Sequence, residues 1–344
     1  MSEAHERPAR SWPTMADVGA EAGVSAQTVS RYFTGGYVGN ATRGRIEEAI
    51  ESLGYRHNRI ARSMRAQRSH TVGVLAMGPF NFGNTSIMTG LSRVAKEAGL
   101  STIIAQLDVD VESVDGRLDV ERALDNFVSF RVDGIIVATP FIGIVKHLER
   151  AAKAVPAISL SRSAETAGFA TIDSYAAAAG ATRHLVEQGH RRIIHLVGPL
   201  RYHEAVERLH GFDDVMAAAA LPAPARYDCA DWTAASGADA ARRVEIDSFD
   251  AVVAANDELA LGFLRVMADR GRVAPTDFSI VGIDDMPEAE YFWPRLTTMR
   301  MEFETLGETA LELLVRRLET GDAQEGRILT PSLVVRDSTR PARG

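Results

Sequence analysis

The stretch Gly23-Val24-Ser25-Ala26-Gln27-Thr28-Val29-Ser30-Arg31-Tyr32-Phe33 decides the organisation of the N-terminal part of this chain. Gly23 permits a tight turn, and the hydroxyl of Ser25 after it is suited to cap a helix. Three apolar residues follow at the i, i+3, i+4 spacing of one buried helix face: Val29, Tyr32 and Phe33. The stretch therefore predicts a turn followed by a short amphipathic helix.

The polar face of this helix carries Gln27, Ser30 and Arg31. An amide can pair with adenine and a guanidinium with guanine in a major groove, so Gln27 and Arg31 are suited to contact base edges. A second short amphipathic helix is predicted just upstream from the spacing of Met15, Val18, Gly19 and Ala22. Helix, glycine turn and capped helix form the helix-turn-helix pattern, although two short helices around a glycine also occur in other all-α domains.

A third helix is predicted to begin at Thr42, and its apolar spacing is enough to close a three-helix core through Ile46, Ala49, Ile50 and Leu53. A densely basic segment follows at 54–68. Residues 1–68 hold ten arginines, no lysine and seven acidic residues, a net charge of +3, whereas the remaining 28 basic and 39 acidic residues give −11. A basic head on an acidic body favours contact with DNA phosphates, with a solvated basic face as the alternative.

Length and composition restrict the remaining possibilities. A chain of 344 residues with 46% hydrophobic content can hold a small head and a large core in two lobes. No apolar run approaches the length of a membrane span. The only cysteine, Cys229, can form no disulfide within the chain, so a reducing cytoplasm is the expected setting. Residues 1–13 are polar and proline-containing, which is typical of a disordered arm rather than a signal peptide.

Several blocks in the head match a known family in order and spacing: Met15-Ala16-Asp17-Val18, Ala22-Gly23-Val24-Ser25, Thr28-Val29-Ser30-Arg31, Thr42-Arg43, Gly54-Tyr55 and Asn58-Arg59-Ile60-Ala61-Arg62. Residues 14–65 thereby resemble the head of the lactose repressor and galactose repressor family of bacterial transcription regulators. The resemblance implies a homodimer that reads a near-palindromic double-stranded DNA operator. It also implies a recognition helix in the major groove and a hinge helix that forms in the minor groove only on DNA.

The resemblance assigns DNA contacts position by position. The implied base readers are Ala26, Gln27 and Arg31. The implied contacts to the DNA backbone, which position the head without specifying sequence, are Thr14, Ser25, Thr28, Ser30, Tyr37 and Thr42. The implied minor-groove hinge residues are Asn58, Ala61 and Met64, the last at the position of an apolar wedge between base steps. Two departures from the family, His57 in place of proline and the small Ala26, leave the operator sequence open.

Beyond Thr71 the chain alternates short β-rich runs with helical stretches, which predicts parallel sheets with helices on both faces. The first lobe is predicted to have strands at 71–77, 102–107, 134–139 and 157–160, and helices near 86–98, 117–129 and 143–154. The second is predicted to have strands at 192–197, 225–229, 250–255 and 279–283, and helices near 175–188, 202–219, 234–246 and 258–270. Crossings near 160–162 and 291–295 would join the two doubly wound lobes around a cleft.

The body also resembles the effector-binding core of the same family, which is akin to periplasmic sugar-binding proteins. The matching blocks include Gly189-His190-Arg191-Arg192-Ile193, Ala255-Asn256-Asp257, Val281-Gly282-Ile283-Asp284-Asp285 and Leu333-Val334-Val335-Arg336-Asp337. The resulting division is an arm at 1–13, a helix-turn-helix domain at 14–56, a hinge at 57–70 and a body at 71–344. The N-lobe is predicted at about 71–160 and 292–325, and the C-lobe at about 161–291 and 326–344.

Polar residues after predicted strands mark the cleft, because open α/β sheets bind ligands at the carboxyl ends of their strands. By family position Asn256 and Asp284 bind effector hydroxyls, Arg208 reaches in from a helix, and Trp232 and Phe303 flank the ligand. The other lobe is expected to contribute Phe82, Asn84, Ile87 and Phe141. The alternatives are that Asn256 and Asp284 serve as turn or cap residues, Arg208 as a surface charge and Phe303 as core.

Two further positions bear on the effector. Ser161 stands where a family member has a ligand-facing aspartate, and Met301 replaces a glutamine. Both replacements reduce the number of ligand groups that the site can hydrogen-bond. Sites of this kind distinguish ligands by the polar groups with which they form hydrogen bonds. The expected effector is a different sugar, a deoxy or substituted sugar, or a non-sugar metabolite.

Other function classes lack support in the sequence. His184, His190 and His195 do not have the spacing of a metal pair, and the adjacent acids at 257–258 and 284–285 are more typical of caps than of a cation site, so no metal or cofactor is expected. No catalytic motif is recognised, and the chain is not expected to be an enzyme. An exported binding protein would share the body but carry a signal peptide and no DNA-binding head.

The predicted mechanism is a linkage between ligand and DNA. A ligand in the cleft changes the orientation of the lobes, and the dimer's hinge segments then lose or gain the spacing needed to fold in the minor groove. An inducer is the default expectation and a corepressor the alternative. The family's tetramerising tail is not recognised after the last predicted strand, which ends at Asp337, so a homodimer without membrane association is expected.

Overall fold

The structure is a computed structural model that describes residues 13–56, 68–78, 81–107, 113–138, 155–162, 168–322 and 324–342. It divides the chain into two compact units, Met1–Ser69 and His70–Gly344, here called the head and the body. Several predictions lie outside the described residues: the arm up to residue 12, the hinge residues Asn58, Ala61 and Met64, Phe141, and the helix at 143–154. None of the described helices has the length and apolar character needed to cross a membrane.

The head contains three helices, α1 (Met15–Glu21), α2 (Ala26–Phe33) and α3 (Asn40–Leu53). Thr14 caps α1 in a capping box, in which its backbone N–H donates to the Asp17 carboxylate at 2.7 Å. Ser25 caps α2 by accepting a hydrogen bond from the Thr28 N–H at 3.2 Å. Gly23 takes φ +63° in the turn between α1 and α2, the left-handed conformation that glycine favours. The predicted helix-turn-helix is confirmed.

The three helices share one apolar core. Its buried members are Val18, Ala22, Val29, Val38, Ile46, Ala49 and Tyr55. Tyr32 and Phe33 pack against it from α2, as their spacing predicts. The prediction that α3 begins at Thr42 is wrong, because Gly39 occupies the cap position and Thr42 lies within the first turn.

Gly19 allows α1 to pack closely against the turn that follows it. A Cβ atom at this position would lie 2.8 Å from the Val24 carbonyl oxygen. We expect Gly19→Ala to destabilise the head by about 1 to 2 kcal/mol, because the backbone must move to relieve the overlap. The matched control is Gly44→Ala, since a Cβ at this α3 position meets no atom within 4 Å. It should stabilise the head by about 0.5 to 1 kcal/mol. Thermal unfolding measures both, and equal melting temperatures for the two variants would contradict this role of Gly19.

The body alternates strands and helices along its length. Its strands are β1 (Thr71–Met77), β2 (Ser101–Leu107), β3 (Gly134–Ala138), β4 (Ala157–Ser159), β5 (Ala170–Ile172), β6 (Ile193–Val197), β7 (Arg226–Asp228), β8 (Ala251–Ala254), β9 (Ser279–Asp284), β10 (Thr297–Arg300), β11 (Arg327–Leu329) and β12 (Ser332–Val334). Its helices are α4 (Phe82–Glu97), α5 (Val114–Ser129), α6 (Ser174–Glu187), α7 (His203–Ala218), α8 (Ala234–Arg243), α9 (Asp257–Asp269) and α10 (Phe303–Thr320), and a 3₁₀ helix spans Pro287–Tyr291.

These elements form two lobes around two sheets. The N-lobe sheet has the order β2-β1-β3-β4 with every pair parallel, and the C-lobe sheet has the order β12-β10-β9-β8-β6-β7. The central strands β3, β6 and β8 are buried along their whole length, as expected where helices cover both faces. The predicted two-lobe α/β fold is confirmed, with one antiparallel edge strand, β12, which pairs with β10.

The chain crosses between the lobes at a different place from the one predicted near 291–295. Thr297–Arg300 still belongs to the C-lobe, because it pairs in parallel with β9, so the chain leaves this sheet only after Arg300. The helix α10 that follows packs on α4 of the N-lobe. Gly90 and Gly307 permit this packing, since a Cβ at either position would overlap the backbone of the other helix.

Three other differences concern short or capped elements. The three-residue strands β5 and β11 were missed, and they pair only with each other in a small parallel sheet. Helix α4 begins at Phe82 rather than near residue 86, because the Asn81 side chain caps it by accepting a hydrogen bond from the Asn84 N–H at 2.9 Å. Helix α8 ends at Arg243 rather than at residue 246, since Val244 is extended.

Candidate nucleic-acid interface and ligand cleft

The face of α2 opposite the head core is polar. Its three implied base readers, Ala26, Gln27 and Arg31, are all exposed. Val29 on the other side of the same helix is fully buried, so the core fixes the rotation of α2 about its axis. The side chains of Gln27 and Arg31 lie one helical turn apart on one face, the arrangement required for two neighbouring base contacts.

The implied DNA-backbone residues fall into two groups. Thr14 and Ser25 are exposed and serve as helix caps, and the Ser25 hydroxyl lies 3.0 Å from the Thr28 hydroxyl. Tyr37 is 90% exposed, an unusual state for an aromatic side chain in a folded head. Thr28, Ser30 and Thr42 form the second group and are partly buried.

The body contains a cleft between the N-lobe and the C-lobe that encloses about 1100 Å³ of space including its open mouth. It lies beside the carboxyl ends of β8 and β9 and the starts of α4, α7 and α10. Nine of the predicted effector residues line it: Asn84, Ile87, Ser161, Arg208, Trp232, Asn256, Asp284, Met301 and Phe303. Phe82 does not line the cleft but packs edge-on against Phe303, with ring centroids 5.9 Å apart.

Arg208 is buried on α7, with 4% of its surface exposed, so the alternative of a surface charge is wrong. Its Nη1 donates to the Ala255 carbonyl oxygen, and its Nη2 lies 3.5 Å from Asp284 Oδ1. The guanidinium sits over the Trp232 ring at 5.3 Å from the centroid. Its Nε has no hydrogen-bond partner within the described part of the chain. Arg208 therefore lines the cleft with its guanidinium held by Ala255 and Asp284.

Asn256 has both of the predicted roles, since it caps a helix and also lines the cleft. Its Oδ1 accepts from the Leu259 N–H at 2.8 Å and so caps α9, and its Nδ2 donates to the Trp232 carbonyl oxygen at 3.0 Å. Tyr202 packs edge-on against the indole at 5.7 Å, and Gly198 leaves room for it, because a Cβ there would lie 2.4 Å from the ring. Trp232 is thus held in place at the wall of the cleft.

Asp284 is the last residue of β9 and takes φ +129°, a strained value for a residue with a side chain. Burial raises the pKa of Asp284 to about 7, against the lowering effect of Arg208. Behind it, the buried Asp257 accepts from the Thr298 hydroxyl at 2.6 Å and from the Met286 N–H at 2.9 Å, which fixes the loop after β9. Burial raises the pKa of Asp257 well above its usual range.

The two adjacent acids at this strand end have different partners. Asp285 accepts from Arg336 at 2.6 Å and from Arg300 at 2.7 Å, so both of its carboxylate oxygens are paired with guanidiniums. Across the described residues no group of three metal-ligating side chains comes together. Asp285 holds the turn after β9, and its neighbour Asp284 faces the cleft.

The two positions that depart from the family are both at the cleft. Ser161 lies with its hydroxyl 3.1 Å from that of Ser159, and Met301 is 4% exposed. Neither side chain brings a charged group to the cleft, but Arg162 next to Ser161 also lines it. Phe303 is partly buried at the start of α10 and lines the cleft, so it is more than a core residue.

Several ionisable residues of the cleft were not predicted from the sequence. They are Arg162, Asp173, His203, Glu204 and Glu207. Glu204 and Glu207 precede Arg208 by four and one residues on α7, and the i, i+4 spacing places Glu204 on the same helix face as Arg208. That spacing could have identified Glu204 as a cleft residue from the sequence. Burial raises the pKa of Glu204 to about 7, an effect that its own backbone N–H and Arg208 partly oppose.

Comparison with known families identifies both units. Residues 14–58 match the family model for bacterial regulatory proteins of the lacI family, and residues 182–339 match the model for periplasmic binding protein-like domains. The lactose operon repressor of Escherichia coli (strain K12) is 31% identical over 332 residues, which cover 95% of this chain and 90% of that protein.

Solved structures agree with these matches. The lac repressor dimer bound to operator and the anti-inducer ONPF superposes with a TM-score of 0.85 at 28% identity, covering 95% of this chain and 99% of that one. The complex of the transcriptional regulator CelR with cellobiose has a TM-score of 0.69 at 29% identity, with the same two shares of coverage.

Proposed function

Because the chain belongs to the lacI family of bacterial regulatory proteins, whose members are DNA-binding transcriptional regulators and not enzymes, we propose that it represses transcription as an effector-controlled homodimer. The head at 14–56 would bind one half of a near-palindromic operator, the hinge at 57–70 would enter the minor groove, and the body at 71–344 would bind the effector. The exposed polar face of α2, opposite a buried core, is the observation that carries the proposal.

Apolar surface on the body supports self-association. Strand β2 lies at the edge of the N-lobe sheet. The groove between it and α5 is lined by the apolar residues Ile103, Ile104, Leu107, Phe127 and Phe130, together with Asp119, Arg122 and Asn126. On the C-lobe, Tyr291 and Trp293 are 83% and 91% exposed. Exposed apolar patches of this kind mark protein contacts, and two-fold dimers are the commonest soluble oligomers.

A sugar or sugar derivative is the effector class that the cleft supports best. A solved relative carries cellobiose, and aromatic side chains such as Trp232 suit the C–H face of a sugar ring. The guanidinium of Arg208 and the carboxyl group of Asp284 line the cleft and bring a donor and an acceptor for hydroxyl groups. A non-sugar metabolite, or a corepressor in place of an inducer, is the alternative.

We propose that ligand binding in the cleft controls operator binding because both depend on the orientation of the two lobes. Cleft residues come from both lobes, for example Asn84 from α4 and Glu207 from α7, so a ligand that binds one lobe orientation more tightly shifts the population toward it. The operator affinity then changes by the ligand's differential affinity for the two states, and by no more. The regulator would act in the bacterial cytoplasm and associate with the nucleoid when bound to DNA.

Selection from a pool of random duplexes tests the proposal. The full chain should enrich one near-palindromic sequence and bind it at least about a thousandfold more tightly than random duplex at moderate salt. Equal binding of every duplex would refute sequence-specific regulation. Analytical ultracentrifugation of the same sample should give the mass of a dimer bound to one duplex.

A further inference from the structure

The cleft carries more carboxyl groups than the cations around it neutralise. Its described lining includes the four carboxyl groups of Asp173, Glu204, Glu207 and Asp284, but only two guanidiniums, those of Arg162 and Arg208. Asp173 is partly satisfied, because its Oδ1 accepts from the Ala176 N–H and caps α6. Asp284 has Arg208 at 3.5 Å. The described residues supply no cation within 4 Å of Glu204 or Glu207.

The one buried guanidinium of the cleft has other partners. Arg208 donates to the Ala255 carbonyl oxygen, pairs with Asp284 and lies over Trp232, so it acts on Glu204 without a direct ion pair. Burying a carboxylate without a counter-charge is costly, and the raised pKa of Glu204 and of Asp284, each about 7, agrees with such a deficit. A ligand that supplies positive charge would remove this cost.

The remaining features of the cleft restrict what kind of cation fits. The described part of the chain holds no group of three metal-ligating side chains, which argues against a bare metal ion. Asp173 and Glu207 add carboxyl oxygens that can accept hydrogen bonds from ligand hydroxyl groups. Trp232 and Phe303 provide apolar walls for a ring. An anionic ligand, such as a sugar phosphate or a uronate, would face the unpaired carboxyl groups and be repelled.

Resting on the proposed effector cleft, we infer that its ligand is a hydroxyl-bearing organic cation of the amino-sugar class, with the ammonium group held by Glu204 and Asp284. Glu207 adds to the negative potential, and Arg208 accommodates a ligand oxygen. The site discriminates by charge: a protonated amine is favoured over a hydroxyl at the same ring position, and a carboxylate is rejected.

Isothermal titration of the full chain at pH 7 with glucosamine, galactosamine and mannosamine, each compared with its parent neutral sugar and with glucuronate, tests the inference. At least one amino sugar should bind about tenfold or more tightly than its parent, and glucuronate should not bind. Glu204→Gln should abolish this preference, since it removes the negative charge but keeps the side-chain shape. The control Glu319→Gln, at an exposed position on α10, should keep the preference.

Lowering the pH gives a second measurement. Between pH 7 and pH 5 the amines stay charged, but Glu204 and Asp284 take up protons, so the affinity for the amino sugar should fall as the pH falls. The other charged and titratable groups that face or influence this pair are Arg162, Asp173, His203, Glu207, Arg208 and Glu258. In Glu204→Gln the fall should be smaller.

Three results would overturn the inference: parent sugars that all bind as tightly as their amino sugars, measurable binding of glucuronate, or an amino-sugar preference that Glu204→Gln retains. Failure of all three amino sugars to bind would overturn it as well. Each of these results leaves operator selection untouched, whereas the loss of operator selection would refute the proposed function whatever the cleft binds.

Discussion

We expect Asp284→Ala to lose the ligand response of the protein while operator binding persists. The substitution removes a cleft carboxyl group and leaves the buried Arg208 without its ion-pair partner. Loss of a hydrogen bond to a charged group, together with an unpaired buried charge, should weaken ligand binding by about a hundredfold or more. The head is a separate compact unit, so its affinity for the operator is expected to remain.

The measurement is a thermal-shift screen of sugars followed by operator binding with the sugar that most stabilises the wild-type chain. Asp284→Asn is the matched variant, because asparagine keeps the side-chain size and removes the carboxyl group. It should fold like the wild type and still lose at least about tenfold in ligand affinity. An unchanged ligand response in both variants would remove Asp284 from the binding site.

Arg31→Ala should weaken binding to the selected operator by about 1 to 3 kcal/mol, or roughly 5- to 150-fold, and relax discrimination at one base pair. The physical reason is that a guanidinium pairs with guanine through two hydrogen bonds that alanine cannot make. Arg31 is exposed and outside the head core, so the melting temperature should not change. Competition binding against operators mutated one base pair at a time measures both effects.

Arg45→Ala is the control for this substitution, because Arg45 is an exposed arginine on α3 rather than on α2. It should lower the affinity for all duplexes equally or leave it unchanged. If Arg31→Ala behaves in the same uniform way, then Arg31 contacts only phosphates and does not read bases.

The head was the part of the fold most open to prediction. Local signals decide it: Thr14 and Ser25 at caps, Gly23 in the turn, and apolar residues at helical spacing. The one wrong boundary, the start of α3, arose because Gly39 takes the cap position without a side-chain hydrogen bond. A backbone-only cap leaves no side-chain signal in a sequence.

The cleft was predicted less completely. Resemblance to the family placed Arg208, Trp232 and Asp284 in it, and the structure brings all three to the same wall. Glu204 and Glu207 were missed, since an acidic pair on an amphipathic helix is most often a solvated face. The hydrogen bond from Asn256 to the Trp232 carbonyl oxygen and the support of Trp232 by Tyr202 depend on neighbours that no local spacing reveals.

By itself the sequence determined the helix-turn-helix head, the alternation of strands and helices in the body and the charge difference between the two, because caps, turns and periodicity are local properties. Only the tertiary structure decided the order of the strands, the crossing after Arg300 and the charge balance of the cleft. Arg208 contacts Ala255 and Asp284, which are 47 and 76 residues away from it in the sequence. Such long-range contacts form only when the strands of the C-lobe sheet have taken their order, and that order depends on packing throughout the body.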